Sequence, residues 1–338
     1  MEEKKRNYLF DNLKVLLIFL VVTGHLLENY IDNNMALRSI YFFIFMFHMP
    51  LFIYVSGYFS KNVKKCRKNA VKDLLIPFIF FNVIWYVSIG NFKFPIYYAG
   101  WTLWYLLSLF IWRFFLVDLI KVKWILGLTI ILGLLVGFDD KYVYLLSFTR
   151  TFSFLPFFLF GYYSNDSTIN KIKSFPKIVS ILGLISISVF AFIVTNYNII
   201  NFRFLYMSES YKSFGLGIGQ GMLLRSLFYI FAILVSIFII NLVSSKKYNL
   251  SKVGANTLII YLGHIYGIRL IDTLVPTMNS TIPDLCIVIV YSILICTILS
   301  LPIFYKIYDY VFGKINYCRQ IILNDIIWQE TMKQYDIN

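Results

Sequence analysis

Two ionisable residues, Lys14 and His25, lie eleven positions apart in an apolar stretch near the N-terminus. Eleven residues make about three helical turns, so both side chains fall on one face of a helix, about 16 Å apart along its axis. Asp11 precedes Lys14 by three residues and Glu28 follows His25 by three, so each has an acidic neighbour within reach. A neutral imidazole can take a proton from a hydroxyl nucleophile. His25 is therefore a candidate general base.

The other two histidines of the chain also lie in apolar stretches. His48 belongs to FHMPLFIYVSGYF (47–59), a pattern typical of a kinked helix with small residues for close packing, and compatible with a site. His264 lies in NTLIIYLGHIYGIRL (256–270), where a structural hydrogen bond between helices and a functional role both remain open. Polar groups inside a bilayer are costly and are usually retained for function.

Basic residues offer places for an anionic ligand. The segment KNVKKCRKNAVK (61–72) suits a topology signal, contact with lipid head groups, or a cytosolic ligand rich in phosphate, such as a coenzyme A thioester. Arg150, in SFTRTFSFLPFFLFGYY (147–163), is flanked by hydroxyl residues, which favours a position on a ligand path. For Arg113 and Asp118 we expect simple interfacial placement.

The composition predicts an all-α membrane protein. Of its 338 residues 59% are hydrophobic and only 14% are charged, whereas soluble domains carry about 25% charged residues. The net charge of +14 comes from short basic segments between apolar runs, as in cytoplasmic loops, so we expect no nucleic-acid partner. No cysteine or histidine spacing indicates a metal site, and no soluble-enzyme motif occurs.

Apolar runs of about 20 residues predict a polytopic helix bundle with about ten spans. Most Lys and Arg residues fall in inner segments if the N-terminus is inside, which predicts an N-in/C-in orientation. The long outer segment around 197–221 is typical of a functional loop or of a flexible connector. We expect one membrane domain over 1–338, surrounded by lipid, with a cytoplasmic tail at 306–338. The predicted spans are 13–31, 39–59, 74–90, 103–120, 124–138, 142–163, 178–196, 222–243, 254–274 and 284–305.

These patterns together resemble the acyltransferase 3 family of integral-membrane O-acyltransferases, and within it the stand-alone bacterial polysaccharide and fucose-type O-acetylases. The family's first helix carries a basic residue, ten further residues and a histidine, matched here by Lys14 and His25, with Asp11 in the preceding acidic position. The order and spacing of five further runs make the resemblance specific. They are FHMPLFIYVSGYF, LLIPFIFF (74–81), TLWYLLSLF (102–110), FLPFFLFGYY (154–163) and NTLIIYLGH (256–264).

The resemblance implies transfer of an acyl group, usually acetyl, from cytosolic acetyl-coenzyme A to a sugar hydroxyl. The acceptor would be a cell-surface glycan, such as a capsular polysaccharide, or its lipid-linked precursor at the bacterial cytoplasmic membrane. No metal is implied. Because the sequence ends soon after its last predicted span, we expect the transfer to be completed inside the bundle or with separate glycan-assembly proteins.

The resemblance also implies roles for particular residues. His25 takes the position of the general base and Lys14 that of the basic partner, which holds the donor and is itself oriented by Asp11. Lysine keeps the charge of the more usual arginine but lacks its planar fork. We expect His25 to face a tunnel that joins both leaflets. Glu28, His48 or His264 is expected to orient His25 or the acceptor.

An arginine pair at the start of the third helix is a further family feature. The matching region here contains Arg67, Lys68 and Lys72, with Asp73 nearby, so these basic residues, together with Arg150, are candidates for binding the donor. An alternative function is a flippase or exporter of lipid-linked glycans, in which the basic residues bind a diphosphate lipid without covalent chemistry. Exporters often show repeat symmetry, and no internal repeat is visible.

Overall fold

The computed structural model describes residues 7–32, 34–92, 97–255, 257–274 and 281–317. These residues form a helix bundle without strands, apart from an isolated bridge between Tyr98 and Leu145, so the predicted all-α fold is confirmed. In chain order the α-helices are α1 (Tyr8–Leu27), α2 (Met35–Tyr58), α3 (Val63–Ala70), α4 (Ile76–Ser88), α5 (Trp104–Leu119), α6 (Ile125–Leu135), α7 (Phe148–Tyr163), α8 (Asp166–Ser174), α9 (Lys177–Asn196), α10 (Ile218–Leu242), α11 (Thr257–Leu274) and α12 (Thr281–Leu299).

Seven helical segments of the described chain are long and apolar enough to cross a membrane: α1, α2, α3 with α4, α9, α10, α11 and α12. Shorter helices, α5, α6 and α7, occupy the remaining predicted spans. The number of spans and the N-in/C-in orientation stay predictions. Residues 302–317 are also helical, so the predicted tail at 306–338 begins within a helix, and its part from 318 onward lies outside the described residues.

The basic segment 61–72, which we predicted as a cytoplasmic loop, is instead almost entirely helical. Helix α3 begins after Asn62, whose side-chain oxygen accepts a hydrogen bond from the backbone N–H of Lys65 at 3.1 Å. It continues through one π-helical turn, Val71–Leu75, into α4. Lysine, arginine and alanine favour helices, and the loop prediction had considered only charge.

Helix α2 lies at the centre of the bundle and packs against α1, α7, α9 and α10. Its crossing with α7 depends on two glycines. A Cβ atom at Gly57 would overlap the carbonyl of Phe158, and one at Gly161 would overlap the carbonyl of Tyr54. Small residues allow helix backbones to approach this closely within a membrane. The crossing sets the position of His48 on α2 relative to Arg150 on α7.

Helix α1 is enclosed by α2, α11 and α12. Leu13, Leu17 and Val22 are all but completely buried. The Thr23 hydroxyl donates a hydrogen bond to the Ser292 hydroxyl of α12 at 2.9 Å. Since the neighbours cover this helix, its polar stripe faces the interior of the protein.

The connection between α9 and α10 is packed against one end of the bundle. It contains two short 3-10 helices, Phe202–Tyr206 and Lys212–Phe214. Tyr211 is buried, and its hydroxyl donates a hydrogen bond to the carbonyl of Leu134 at 2.7 Å. Of the two alternatives for this segment, the packing favours a functional loop over a flexible connector.

The glycine crossing leads to a stability prediction. We expect Gly57→Ala to lower stability by about 1–3 kcal/mol, because the added methyl forces α2 and α7 apart, and to lower the melting temperature of the detergent-purified protein. Gly127→Ala is the matched control: its Cβ would meet open space, and alanine favours a helix over glycine. Equal melting temperatures for the two variants would contradict the close crossing.

Candidate functional site

A buried cavity of about 110 Å³ contains the first-helix histidine. Six parts of the chain meet there: α1, α2, the turn before α5 together with its first residue, α7, the connection between α9 and α10, and α11. The polar and aromatic residues that line it include His25, Glu28, His48, Trp101, Trp104, Arg150, Tyr206 and Tyr261.

His25 is held by a hydrogen bond to Glu28. The Nδ1 atom of His25 lies 2.7 Å from Oε1 of Glu28, one helical turn further along α1. The imidazole edge also packs against Trp101, with ring centroids 5.1 Å apart. A carboxylate at Nδ1 keeps the proton on that nitrogen and leaves the lone pair on Nε2. The pair therefore has the arrangement of an oriented general base, in which the acid stabilises the imidazolium.

The two other histidines lie close to His25, and each is fixed by a backbone carbonyl. His48 Nδ1 lies 2.8 Å from the carbonyl of Ile44, and His264 Nδ1 lies 2.6 Å from that of Tyr261. The His264 ring centroid is 5.5 Å from that of His25. Its buried Nε2 makes no hydrogen bond within the described residues. Both rings therefore carry the proton on Nδ1 and have an Nε2 atom able to accept.

Arg150 brings a positive charge to the same cavity. Its Nε donates a hydrogen bond to the backbone carbonyl of Tyr206 at 3.0 Å, and its guanidinium lies 5.0 Å from the centre of the Trp104 ring. Stacking and a single backbone acceptor hold the guanidinium plane. Such a group can stabilise an oxyanion that develops nearby.

Two tyrosines connect the cavity to the outer loop. The Tyr41 hydroxyl donates to Glu28 Oε1 at 3.4 Å and shares a hydrogen bond with the Tyr206 hydroxyl. Burial, with a further contribution from Glu28, raises the pKa of Tyr206, so this phenol stays protonated. Trp101 and Tyr206 were not predicted as site residues. The signals that could have indicated them are sequence neighbours. Trp101 immediately precedes the TLWYLLSLF run (102–110), and Tyr206 lies in the aromatic segment around 197–221.

A second, larger cavity of about 920 Å³ lies toward the other end of α1. Lys14 lines it, with its Nζ 4.0 Å from Asp11 Oδ1 and 4.4 Å from the centre of the Phe59 ring. Arg113 lines it too, and its Nε donates to the Ser60 hydroxyl at 3.1 Å. Lys61, Lys65, Asp73 and Asp166 complete its charged lining. Because its four cations outnumber its three carboxylates, we call this space the basic cavity.

Lys61 is anchored at the edge of this second cavity. Its Nζ contacts the carbonyls of Gly161, Tyr162 and Ser164 at the end of α7. Burial lowers the pKa of the Lys61 ammonium, and the Asp166 carboxylate opposes that shift. The side chain thus joins α7 to the start of α3 and places a positive charge beside Lys14.

The other predicted donor-binding residues are distributed differently. Arg67 pairs with Asp118 at 2.9 Å on an exposed surface, and Lys68 and Lys72 are not among the residues that line the basic cavity. Arg150 belongs to the histidine cavity. Which basic side chains line the same cavity depends on how α3 packs against α5. The sequence alone does not predict that packing.

Lys14 and His25 share one face of α1 but line different cavities. Ile18, which lies between them in the sequence, is buried, and on α2 the Phe52 ring packs against the ring of Tyr105, whose hydroxyl shares a 2.6 Å hydrogen bond with Ser56. The expected tunnel in front of His25 stays a prediction. Among the described residues, no three His, Cys, Asp or Glu side chains are grouped so that they could hold a metal ion.

Comparisons with known proteins identify the family. Over residues 7–301 the chain matches the acyltransferase domain family called acyltransferase 3. It is similar to Nodulation protein NolL of Sinorhizobium fredii, with 32% identity over 185 residues that cover 46% of this chain and 48% of that protein. Nodulation protein NolL of Mesorhizobium japonicum is 40% identical over 90 residues, 24% of each chain. The chain thus spans less than half the length of the curated relatives it matches.

No solved structure matches the chain. The family match, however, begins in front of α1 and ends beyond α12, so it includes both cavities and every helix that lines them. Seven apolar helices long enough to cross a bilayer accompany it. The chain therefore belongs to the acyltransferase 3 family.

Proposed function

We propose that this protein is an O-acetyltransferase of the bacterial cytoplasmic membrane. It moves an acetyl group from cytosolic acetyl-coenzyme A to a sugar hydroxyl of a capsular or other cell-surface polysaccharide, or of its lipid-linked precursor. The whole chain, 1–338, acts as one membrane domain. The observation that carries this proposal is the His25–Glu28 pair in a buried cavity of an acyltransferase domain.

In this mechanism His25 is the general base. Its Nε2 takes the proton of the sugar hydroxyl as the oxygen attacks the thioester carbonyl carbon. The new ester C–O bond forms, the C–S bond breaks, and the leaving thiolate recovers the proton from the imidazolium. Glu28 stabilises that imidazolium through the hydrogen bond at Nδ1. Tyr41 adds a second hydrogen bond to the same carboxylate and holds it in place.

Three further side chains assist the reaction. Arg150 lies in the same cavity and stabilises the oxyanion of the tetrahedral intermediate. His48, which lines the same cavity, accepts a hydrogen bond from the acceptor, and His264, whose ring centroid lies 5.5 Å from that of His25, packs beside the base and orients it. These roles are consistent with the carbonyl contacts at both Nδ1 atoms.

The donor binds in the basic cavity. The phosphates of the donor are held by four side chains that line this cavity: Lys14, Lys61, Lys65 and Arg113. The volume of the cavity falls within the usual range of ligand sites, about 300–1,000 Å³. Asp11 orients Lys14. The thioester arm then extends about 16 Å along α1 toward His25.

Purified protein tests the reaction class directly. With acetyl-coenzyme A and chemically de-O-acetylated glycan from cells that express the chain, we expect release of free coenzyme A and acetylation of the glycan. A flippase or exporter of lipid-linked glycans would release no coenzyme A. Absence of glycan-dependent release from folded protein would reject the proposed function.

Removal of the proposed base should abolish turnover without disturbing the fold. For His25→Ala we expect kcat to fall by about 10²–10⁴-fold, the usual contribution of a general base. Membrane insertion and melting temperature should stay close to those of the wild type. An exposed polar control, Ser213→Ala, should retain activity. Unchanged acetylation by His25→Ala would exclude His25 as the base.

A substitution at Lys14 should change only the binding of the donor. For Lys14→Ala we expect KM for acetyl-coenzyme A to rise about 10- to 100-fold, as for loss of a charge-assisted contact, while Lys14→Arg retains most of the affinity. Lys121→Ala, which removes an exposed lysine paired with Asp118, serves as the matched control. If Lys14→Ala and Lys121→Ala had the same KM, Lys14 would have no part in holding the donor.

A further inference from the structure

A third cavity, of about 350 Å³, lies where the connection after α9 meets the start of α2. It is at the same end of α1 as Glu28, and so away from the basic cavity that contains Lys14. Its lining combines two aromatic rings with carboxylate, guanidinium and amide groups. These groups belong to Asp32, Arg38, Phe42, Asn198, Asn201 and Phe202.

Two aromatic rings that contact each other, Phe202 and Tyr206, lie between this third cavity and the histidine cavity. The Phe202 ring lines the third cavity and meets the edge of Tyr41, with centroids 5.7 Å apart. The centroid of Tyr206 lies 6.2 Å from that of Phe202, and Tyr206 lines the cavity that contains His25. A ligand in one cavity is therefore next to a ligand in the other.

The polar groups of the third cavity are held in fixed orientations. Arg38 donates to the backbone carbonyls of Ile31 and Asp32 at 2.6 and 2.9 Å, and to the Asn198 side-chain oxygen at 3.5 Å. The Asn201 side-chain oxygen accepts from the backbone N–H of Arg203 at 3.0 Å. Both amide oxygens are thus engaged.

The groups left for a ligand are complementary to hydroxyls. Within the described chain, the amide nitrogens of Asn198 and Asn201 donate no hydrogen bond to protein, and the carboxylate of Asp32 accepts none. The cavity therefore offers two oriented donors and one acceptor beside the faces of Phe42 and Phe202. Neighbouring hydroxyls on a sugar ring both donate and accept, and the ring also has an apolar face.

The histidine cavity and the third cavity differ in the size of ligand that each can hold. The histidine cavity, at about 110 Å³, is smaller than typical ligand sites of about 300–1,000 Å³. It suits a reacting hydroxyl and an acetyl group, not an oligosaccharide. The third cavity, at about 350 Å³, lies within the range of ligand sites.

We propose that the third cavity is an acceptor subsite that binds the sugar residue next to the one being acylated. Asp32, Asn198 and Asn201 bind its hydroxyls, and Phe202 packs against its ring and separates it from the reacting centre. This inference rests on the proposed function, since it needs a glycan acceptor. It adds that the enzyme distinguishes a chain of sugars from a single sugar.

The test compares acceptors of two lengths. De-O-acetylated glycan from cells that express the chain is cleaved into one-sugar and two-sugar fragments, and coenzyme A release is measured with each. The subsite predicts a lower KM for the two-sugar fragment. In the double variant Asp32→Ala/Asn201→Ser, this KM should rise about tenfold, as for loss of two hydrogen-bonding groups. The kcat, the one-sugar KM and the KM for acetyl-coenzyme A should stay unchanged.

The variants are chosen to preserve the fold. Serine can replace asparagine as the acceptor for the backbone N–H of Arg203, yet it is too short to reach the cavity. Asn196→Ser, at an exposed asparagine outside the cavity, is the matched control and should behave as wild type. An unchanged two-sugar KM in the double variant, or equal KM values for both fragments with wild type, would overturn the subsite alone. No release with either fragment would overturn the subsite, and no release with the intact glycan either would overturn the proposed function as well.

Discussion

The hydrogen bond between His25 and Glu28 is the interaction on which the site depends. A charged or polar group within a bilayer must find a partner or be enclosed by protein. Helix α1 meets both conditions, because Glu28 lies one turn from His25 and because α2, α11 and α12 cover the stripe that carries them. The same bond that makes the imidazole tolerable in an apolar bundle also leaves Nε2 available as a base.

Two cavities of different volume lie along the first helix. The basic cavity is large, the histidine cavity is small, and both lie against one face of α1. In the proposed mechanism each part of the donor meets the environment that suits its charge: phosphates meet lysines at one end, and the uncharged thioester meets a largely enclosed imidazole further along. The stretch of α1 from Lys14 to His25 then sets the distance between the phosphates and the thioester.

Much of this arrangement could be predicted from the sequence, because a membrane imposes simple rules. Run length predicted the helices, and the 3.6-residue period placed Lys14 and His25 on one face of α1. Tertiary packing decided the rest. Trp101 and Tyr206 reach the site from turns and loops, whose positions no periodicity describes. Charge alone predicted a loop at 61–72, where helix propensity and the Asn62 cap produce a helix.

The separation of Lys14 and His25 into two cavities has a consequence for the cell as well as for the chemistry. A wide polar passage that ran the whole way through a membrane protein would let ions leak and dissipate the proton gradient. In the proposed mechanism only the slender thioester arm of the donor joins the two cavities. Such an arm fills the gap through which it passes, so the membrane would stay energised during the transfer.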